Sequence, residues 1–302
     1  MRAGLHAPSS TLRLRPRQLA VLVLAALAAV AFAAFPAASE PELVFLAGEG
    51  EARSLALSRL RAGCTALEVE VDDPYHERRM RYAGLPLRCV LELGFAAQGG
   101  AASLADRTLL LRALDGYTRP VTGKELLAAG GVLAFGEPAR IASADARSAF
   151  SPIGRRRVDP APFYLVWTQE GQNDPHDFPW PYQLATIEVA SFEVTFPHTV
   201  PAGLDASDLG WRGYALFQRA CAACHSINGE GGRVGPELNV PRSIVEYRPI
   251  EQIKAYIKDP ERFRYTSMPA HSDLDPGDLD ALIAYFQAMR ARKHDPRSRG
   301  GS

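Results

Sequence analysis

The sequence is poor in sulfur, since its 302 residues include four cysteines and four methionines. So few cysteines exclude a small scaffold built from closely spaced disulfides. Acidic residues are absent from residues 1–39, although the whole chain balances 34 basic against 34 acidic residues. Removing the arginines of that segment leaves 30 basic residues against 34 acidic, a formal charge of −4. Such a charge gives no electrostatic reason to expect a nucleic-acid partner.

The overall composition is that of a globular protein. Hydrophobic residues make up 47% of the chain and charged residues 23%. Those fractions exclude a polytopic membrane protein, a disordered chain and a collagen-like repeat. Because single hydrophobic cores stop growing at roughly 250 residues, the length predicts about two domains.

The first 39 residues have the layout of an export signal. Three arginines at 13, 15 and 17 precede an apolar run over 19–35, and small residues follow up to Ser39. We predict that residues 1–39 are a signal peptide or, if uncleaved, an N-terminal membrane anchor, because the run is about as long as the shortest bilayer spans. The rest of the chain is then exported, to the periplasm or the outer face of the cytoplasmic membrane. Membrane association through this segment stays open.

Export affects how the cysteines are interpreted, because thiols outside the cytosol form disulfides or are captured by cofactors. Cys64 and Cys89 lie far apart in the N-terminal half. They can form a disulfide, or they can be two small buried hydrophobic residues. The sequence favours neither interpretation.

Residues 221–225 read Cys-Ala-Ala-Cys-His. Cys221 and Cys224 can each add to one vinyl group of a haem, and His225 then lies under the iron as the proximal ligand. A redox dithiol or half of a zinc site is the rival interpretation. The dithiol favours a βαβ context and the zinc site needs a second pair of ligands, and neither is visible. The pattern therefore predicts one covalently bound haem c and no catalytic residue.

A low-spin haem iron needs a second axial ligand, and a thioether raises its reduction potential. Met268 is the candidate, in a loop that Pro269 stiffens. Met80 lies in the other half of the chain, and Met289 falls on the apolar face of the last predicted helix. We predict Met268 as the distal ligand, with His271 as an alternative that would lower the potential.

Helical periodicity surrounds the Cys-Ala-Ala-Cys-His motif. Apolar residues recur at helical spacing over 209–220, immediately before the motif. A second helix is predicted over 250–258, between two prolines. The last helix is predicted to begin with Asp275 as N-cap and Pro276 at its first position. These segments predict an all-α C-terminal domain.

Residues 204–292 resemble a monohaem cytochrome c with His/Met ligation. The resemblance rests on the Cys-Ala-Ala-Cys-His motif, on Gly213 and Phe217 before it, on the Gly-Pro-Glu-Leu loop at 235–238 and on Met268 followed by proline. It implies a small helical fold that carries single electrons. Residues 293–302 are then expected to form a disordered tail.

The same resemblance implies two contacts. Gly213 and Phe217 should cross the C-terminal helix near Leu282 and Tyr285. The carbonyl of Pro236 should accept a hydrogen bond from His225, which tunes the iron through its ligand.

The N-terminal half, residues 40–200, is predicted to form an α+β domain with a mostly β core. Alternating apolar residues predict the strands, and Thr122 with Glu125 forms a capping box that opens a short helix. Strands are predicted at 43–46, 66–71, 78–82, 109–114, 132–135, 163–167 and 185–194. One helix is predicted at 54–60, and a second, short helix is predicted to end at about residue 93.

Several segments of this half resemble the molybdopterin-binding domain of the sulfite-oxidase-like family. They are Tyr-Ala-Gly-Leu-Pro-Leu at 82–87, Leu-Asp-Gly-Tyr at 114–117 with Leu-Ala-Phe at 133–135, Phe-Tyr-Leu-Val-Trp at 163–167 and Pro-Tyr-Gln-Leu-Ala-Thr-Ile-Glu at 181–188. In that family a cysteine thiolate shortly before the Gly-Leu-Pro-Leu segment binds molybdenum. Residues 73–80 contain no cysteine here. We therefore expect a cofactor-free domain without molybdopterin.

Other polar and aromatic features of this half are expected to be structural. The basic run at 155–157 could hold an anion, but such runs in loops are usually solvated. His176 could bind a metal, yet lone loop histidines are more often unliganded. Trp167, Trp180 and Tyr182 lie in or beside strands, where aromatic residues are more often core.

Two functions of different class follow. The first is an exported carrier of single electrons, not an enzyme, whose N-terminal domain is a docking or scaffold module. Its partners would be redox proteins, namely a donor enzyme and an oxidase or another acceptor. The alternative is a molybdenum-dependent oxidoreductase that passes electrons from a substrate to the haem.

Overall fold

The computed structural model describes residues 40–48, 52–143, 147–175 and 177–297. The predicted signal peptide or anchor at 1–39 and the candidate ligand His176 lie outside the described residues. Within the described ranges, no helix combines the length and the apolar character needed to cross a membrane.

Two β-sheets form the N-terminal region, which confirms the predicted β-rich core. The larger sheet has the strand order β2-β1-β9-β5-β6, in which β1 and β9 are parallel and the other neighbours antiparallel. The smaller sheet has the order β3-β4-β7-β8 and is antiparallel throughout. The strands are β1 (Glu42–Leu46), β2 (Ala52–Ala56), β3 (Leu67–Asp73), β4 (Arg78–Pro86), β5 (Thr108–Ala113), β6 (Thr118–Thr122), β7 (Gly131–Gly136), β8 (Tyr164–Trp167) and β9 (Leu184–Val189).

Short helices connect these strands. The predicted capping box is confirmed, because the Thr122 hydroxyl accepts from the backbone N–H of Glu125 while the Glu125 carboxylate accepts from the N–H of Thr122. The α-helices of this region are α1 (Leu57–Gly63), α2 (Leu87–Gly94), α3 (Gly123–Leu126), α4 (Pro138–Ile141) and α5 (Phe192–Thr195).

Two predicted elements were wrong in part. The helix predicted at 54–60 begins only at Leu57, because Leu55 is paired with Leu43 of β1 in the sheet. The strand predicted at 185–194 ends at Val189, and helix α5 follows. The helical turn places Phe192 and Phe196 four residues apart on one face, with ring centroids 4.8 Å apart.

Trp167 and Trp180 are buried in the N-terminal core, as predicted, and their polar atoms are hydrogen-bonded. The indole N–H of Trp167 donates to the Pro179 carbonyl at 2.7 Å, and that of Trp180 donates to a carbonyl at 2.8 Å. The buried Asp73 carboxylate accepts from the hydroxyls of Tyr82 and Tyr164 at 2.8 and 2.9 Å. Hydrogen-bonded aromatic residues thus fix the interior of this region.

Cys64 and Cys89 form a disulfide, with their Cα atoms 5.9 Å apart. Cys64 ends helix α1, and Cys89 lies within α2. The bond therefore ties together two consecutive helices of the N-terminal region.

The C-terminal region is helical around a small hairpin. The predicted helix at 250–258 is confirmed, and the last helix has Asp275 as N-cap with a capping box and Pro276 in its first turn. The elements are α6 (Leu209–Leu216), a π-helical turn (Phe217–Cys221), β10 (Ser226–Ile227), β11 (Glu230–Gly231), α7 (Ile244–Tyr247), α8 (Ile250–Lys258) and α9 (Pro276–Arg290).

Helices α6 and α9 cross at the residues that the resemblance implies. A Cβ on Gly213 would lie 1.9 Å from the carbonyl oxygen of Ala281, so only glycine lets the two backbones approach this closely. The rings of Phe217 and Tyr285 follow at a centroid distance of 5.3 Å. Helix α6 continues from this crossing into the π-helical turn that ends at Cys221.

The two regions belong to one compact unit that begins at Pro41. Leu110 of β5, together with Phe192 and Phe196, joins the apolar cluster of the C-terminal helices. The Tyr285 hydroxyl donates to the carbonyl of Thr199 at 2.7 Å. The junction between the regions is therefore packed.

Residues beyond α9 also contact the C-terminal region as far as the structure describes them. The ring of His294 stacks on the ring of His198 with centroids 3.7 Å apart. The backbone N–H of His294 donates to the Asn228 side chain at 3.0 Å. The tail predicted at 293–302 thus begins with contacts, and residues 298–302 lie outside the described ranges.

Candidate haem site

A π-helical turn ends at Cys221, the first cysteine of the Cys-Ala-Ala-Cys-His motif. Helix α6 leads directly into this turn, where the N–H of Ala222 donates to the carbonyl of Phe217 at 2.7 Å. The N–H groups of Cys224 and His225 then donate to the carbonyl of Cys221 at 3.1 and 2.9 Å. One tight turn therefore holds both thiols and the imidazole.

The two thiols of the motif are half-buried and not joined to each other. Burial raises the pKa of Cys221 to about 12, with the neighbouring Cys224 raising it further. Burial and Asp115 raise the pKa of Cys224 to about 11. A redox dithiol needs a lowered thiol pKa, so these surroundings disfavour that rival interpretation.

The imidazole of His225 is held from one side. Its Nδ1 lies 2.8 Å from the carbonyl oxygen of Pro236, the contact that the resemblance implies. Burial lowers the pKa of His225, which favours the neutral ring. A Cβ on Gly235 would lie 2.5 Å from Cε1 of this ring, so the backbone of Gly235 closes one side of it. Donation from Nδ1 leaves Nε2 as the nitrogen that can bind a metal.

Glu237 organises the loop that carries Pro236, and the sequence reasoning missed it. Its carboxylate accepts from the backbone N–H groups of Asn228, Gly229 and Asn239 at 2.7 to 3.0 Å. A fourth N–H, of Val240, donates at 3.1 Å. No sequence motif distinguishes this carboxylate from a solvated one.

Met268 lies in the loop between α8 and α9. It is half-buried and packs against the apolar cluster that Cys221 also touches. Its backbone N–H donates to the Thr266 hydroxyl at 3.1 Å. His271, the alternative ligand, is buried, and its N–H donates to the carbonyl of Ile257 at 3.1 Å. Ligation by Met268 stays a prediction.

The residues of this site fit a covalently attached haem. The donor set is two unbridged thiols and a neutral imidazole with one nitrogen engaged, beside an apolar helical cluster. Zinc fits less well, because the described ranges hold no group of three or more His, Cys, Asp and Glu residues that could bind a metal ion.

Molybdenum does not fit the N-terminal region through a thiolate. The four cysteines of the chain are Cys64, Cys89, Cys221 and Cys224. The two in the N-terminal region are joined to each other and offer no thiolate. We derive no reaction step through molybdopterin.

The N-terminal region contacts the Cys-Ala-Ala-Cys-His motif directly, and the sequence did not indicate this contact. The backbone N–H of Thr118 donates to the carbonyl of Ala223 at 2.9 Å. The N–H of Arg233 donates in return to the carbonyl of Gly116 at 3.0 Å. The β5–β6 turn therefore lies against the segment between Cys221 and Cys224 and against the glycine-rich loop beyond it.

Residues 211–290 match the protein family described as Cytochrome c. The C-terminal region is therefore a cytochrome c domain. The chain is also 31% identical over 114 residues to cytochrome c oxidase subunit 2 of Alkalihalophilus pseudofirmus. That similarity covers 35% of this chain and 31% of the relative, so the chain spans about a third of that protein's length.

Proposed function

We propose that this protein is an exported carrier of single electrons with one haem c. The cytochrome c domain implies haem-based electron transfer. In the proposal, Cys221 and Cys224 hold the haem through thioether bonds, and His225 and Met268 ligate the iron. No catalytic residue is assigned, because the site transfers electrons and breaks no substrate bond.

One observation carries this proposal: Nδ1 of His225 lies 2.8 Å from the Pro236 carbonyl, with both thiols of the motif unbridged. A bound haem supplies a one-electron couple between ferrous and ferric iron. Pro236 fixes the orientation of the imidazole and increases its electron donation through Nε2. The apolar cluster beside Cys221 offers an apolar surface against which a bound haem would pack.

The relative's name supports the choice of partners. A subunit of a cytochrome c oxidase belongs to an enzyme that takes electrons from cytochrome c. We infer that this chain exchanges electrons with redox proteins, a donor enzyme and an oxidase or another acceptor. We also infer an exported location, in the periplasm or at the outer face of the cytoplasmic membrane, directed by residues 1–39 as a signal peptide or anchor.

The N-terminal region is proposed as a docking or scaffold module over residues 40–200, followed by the cytochrome domain over 204–292. A degenerate sulfite-oxidase-like fold is consistent with its two sheets and with its disulfide-bonded cysteines. The packed junction supports this role, since the module contacts the Cys-Ala-Ala-Cys-His motif through backbone hydrogen bonds and shares an apolar cluster with the C-terminal helices.

The distal ligand has a direct test. We expect Met268→Ala to convert the haem from low spin to high spin, because the sixth coordination position opens. Optical and magnetic spectra of the ferric protein would show the change. Met289→Leu is the matched control, since Met289 is buried in the apolar cluster of α9. A Met268→Ala protein that stays low-spin would move the assignment to His271.

A further inference from the structure

A short closed loop presents the arginines at 155–157. Ile153 and Val158, on either side of it, exchange two backbone hydrogen bonds of 2.8 and 3.0 Å. Within the loop, the N–H of Arg157 donates to the carbonyl of Gly154 at 3.1 Å. Ile153 is buried, whereas residues 155–157 are exposed. The basic run therefore has a defined backbone shape, which a merely solvated run does not need.

Arg155 contacts the loop that carries Met268. Its guanidinium carbon lies 5.2 Å from the centroid of the Tyr265 ring, which is a cation–π contact. Tyr265 precedes Met268 by three residues, and 89% of its surface is exposed. Phe263 is exposed as well, and its ring centroid lies 5.7 Å from that of Tyr256 in α8. The loop at 155–157 and the Met268 loop therefore share one solvent-facing surface.

We call the exposed residues 155–157 and 262–265 the arginine surface. Its five arginines are at positions 155, 156, 157, 262 and 264. Within the described ranges, none of the five forms a salt bridge with another residue. Three acidic residues accompany them in the segments 153–159 and 259–265, namely Asp159, Asp259 and Glu261. The five basic and three acidic residues leave an excess of positive charge, although residues 40–302 together are negatively charged.

The residue types of this surface are those of protein interfaces. Arginine and tyrosine are enriched where interfaces are most deeply buried and contribute much of the binding energy there. A local charge opposite to that of the partner speeds the encounter and fixes its orientation. Both features are present beside the loop that is predicted to ligate the iron.

We propose that the arginine surface docks an acidic face of a redox partner protein. The partner then contacts the N-terminal region and the Met268 loop at the same time, because Arg155 and Tyr265 belong to one surface. The N-terminal region thereby takes part in choosing the partner, in addition to supporting the cytochrome domain. This inference rests on the proposed function.

The test is the rate of haem reduction in the full-length haem-loaded protein, with reduced flavodoxin as the probe because it is a small acidic electron carrier. The variant Arg155→Gln/Arg156→Gln/Arg264→Gln removes three charges from the arginine surface. At low ionic strength we expect its second-order rate constant to be about tenfold below that of the wild type, because electrostatic attraction is lost. The two rates should converge as salt is added. Stopped-flow absorbance at the haem band measures both.

Arg53→Gln/Arg59→Gln/Arg88→Gln is the matched control. It removes the same number of exposed charges outside the arginine surface, so its rate constant should stay close to that of the wild type. Reduction by hexaammineruthenium(II), a small cation, is the second control. The variant of the arginine surface should react with this cation no more slowly than the wild type, because the removed charges repel it. If that variant does not load haem, Arg156→Glu alone should slow flavodoxin in the same direction.

An unchanged rate with flavodoxin at low ionic strength, or equal slowing with both reductants, would overturn the inference and leave the proposed function intact. Vesicles rich in phosphatidylglycerol test a different partner. Binding to them that the variant loses, with flavodoxin reduction unchanged, would assign the surface to an anionic membrane and also overturn the inference. A wild type without covalent haem would overturn both the inference and the proposed function.

Discussion

The N-terminal and C-terminal regions obtain their stability in different ways. The N-terminal region packs fully buried rings such as Tyr82, Trp167 and Trp180 between two sheets and adds a disulfide. The C-terminal region relies on helices α6, α8 and α9, which have 8, 9 and 15 residues. Helices of this length are marginal alone and depend on packing.

The two regions differ in how completely side chains bury their apolar clusters, and the incomplete burial lies at the edge of the C-terminal cluster. Half-buried Cys221, Leu238 and Met268 pack at its margin, near the residues that would hold a cofactor. A ligand that binds only the folded state stabilises it by mass action. Side chains complete the N-terminal core, and we propose that a bound haem would complete the C-terminal one.

Removing the two cysteines of the Cys-Ala-Ala-Cys-His motif should have the largest effect of the changes considered, and the effect should fall on the C-terminal region. We expect the double variant Cys221→Ala/Cys224→Ala to carry no covalent haem, measured by the haemochrome spectrum of denatured protein. Its C-terminal region should unfold at a lower temperature than in the wild type. Circular dichroism of the helices measures this unfolding temperature. Covalent haem retained in this variant would refute the attachment site.

The disulfide provides the reciprocal test. We expect Cys64→Ala/Cys89→Ala to lose about 3 kcal/mol of unfolding free energy, because the bond closes a loop with a sequence separation of 25. Haem content should remain that of the wild type. Denaturant titration measures the first quantity and the haemochrome spectrum the second. Loss of haem from this double variant would contradict the separation of roles.

The crossing of α6 and α9 gives a smaller effect confined to the C-terminal region. We expect Gly213→Ala to destabilise that region by about 2 kcal/mol, because the added Cβ collides with the Ala281 carbonyl. Gly277→Ala is the control, since its Cβ would meet only flexible side-chain atoms, the nearest 3.2 Å away. Thermal unfolding monitored at the haem band compares the two, and equal stabilities would argue against the close crossing.

Local signals made much of the haem domain predictable. The N-cap Asp275 and the helix between Pro249 and Pro260 depend on neighbours within a few residues, and both predictions are confirmed. The attachment motif predicted its domain for the same reason, because five consecutive residues carry the chemistry.

Long-range pairing was not predictable. Ser54 looked helical, but pairing with Val44 of β1 makes it part of a strand. The contact between Thr118 and Ala223 joins backbone atoms more than 100 residues apart in the sequence, and backbone hydrogen bonds leave no mark on residue type. The sequence therefore indicated the candidate haem ligands but not the turn of the N-terminal region that lies against the Cys-Ala-Ala-Cys-His motif.

The central claim is that one haem is attached at Cys221 and Cys224 in a protein whose N-terminal region binds no further redox metal. Elemental analysis for iron and molybdenum tests it most directly, on full-length protein matured where both haem and molybdopterin are supplied. The account predicts one iron per chain, in covalent haem, and no molybdenum. Stoichiometric molybdenum, or protein without iron, would contradict it.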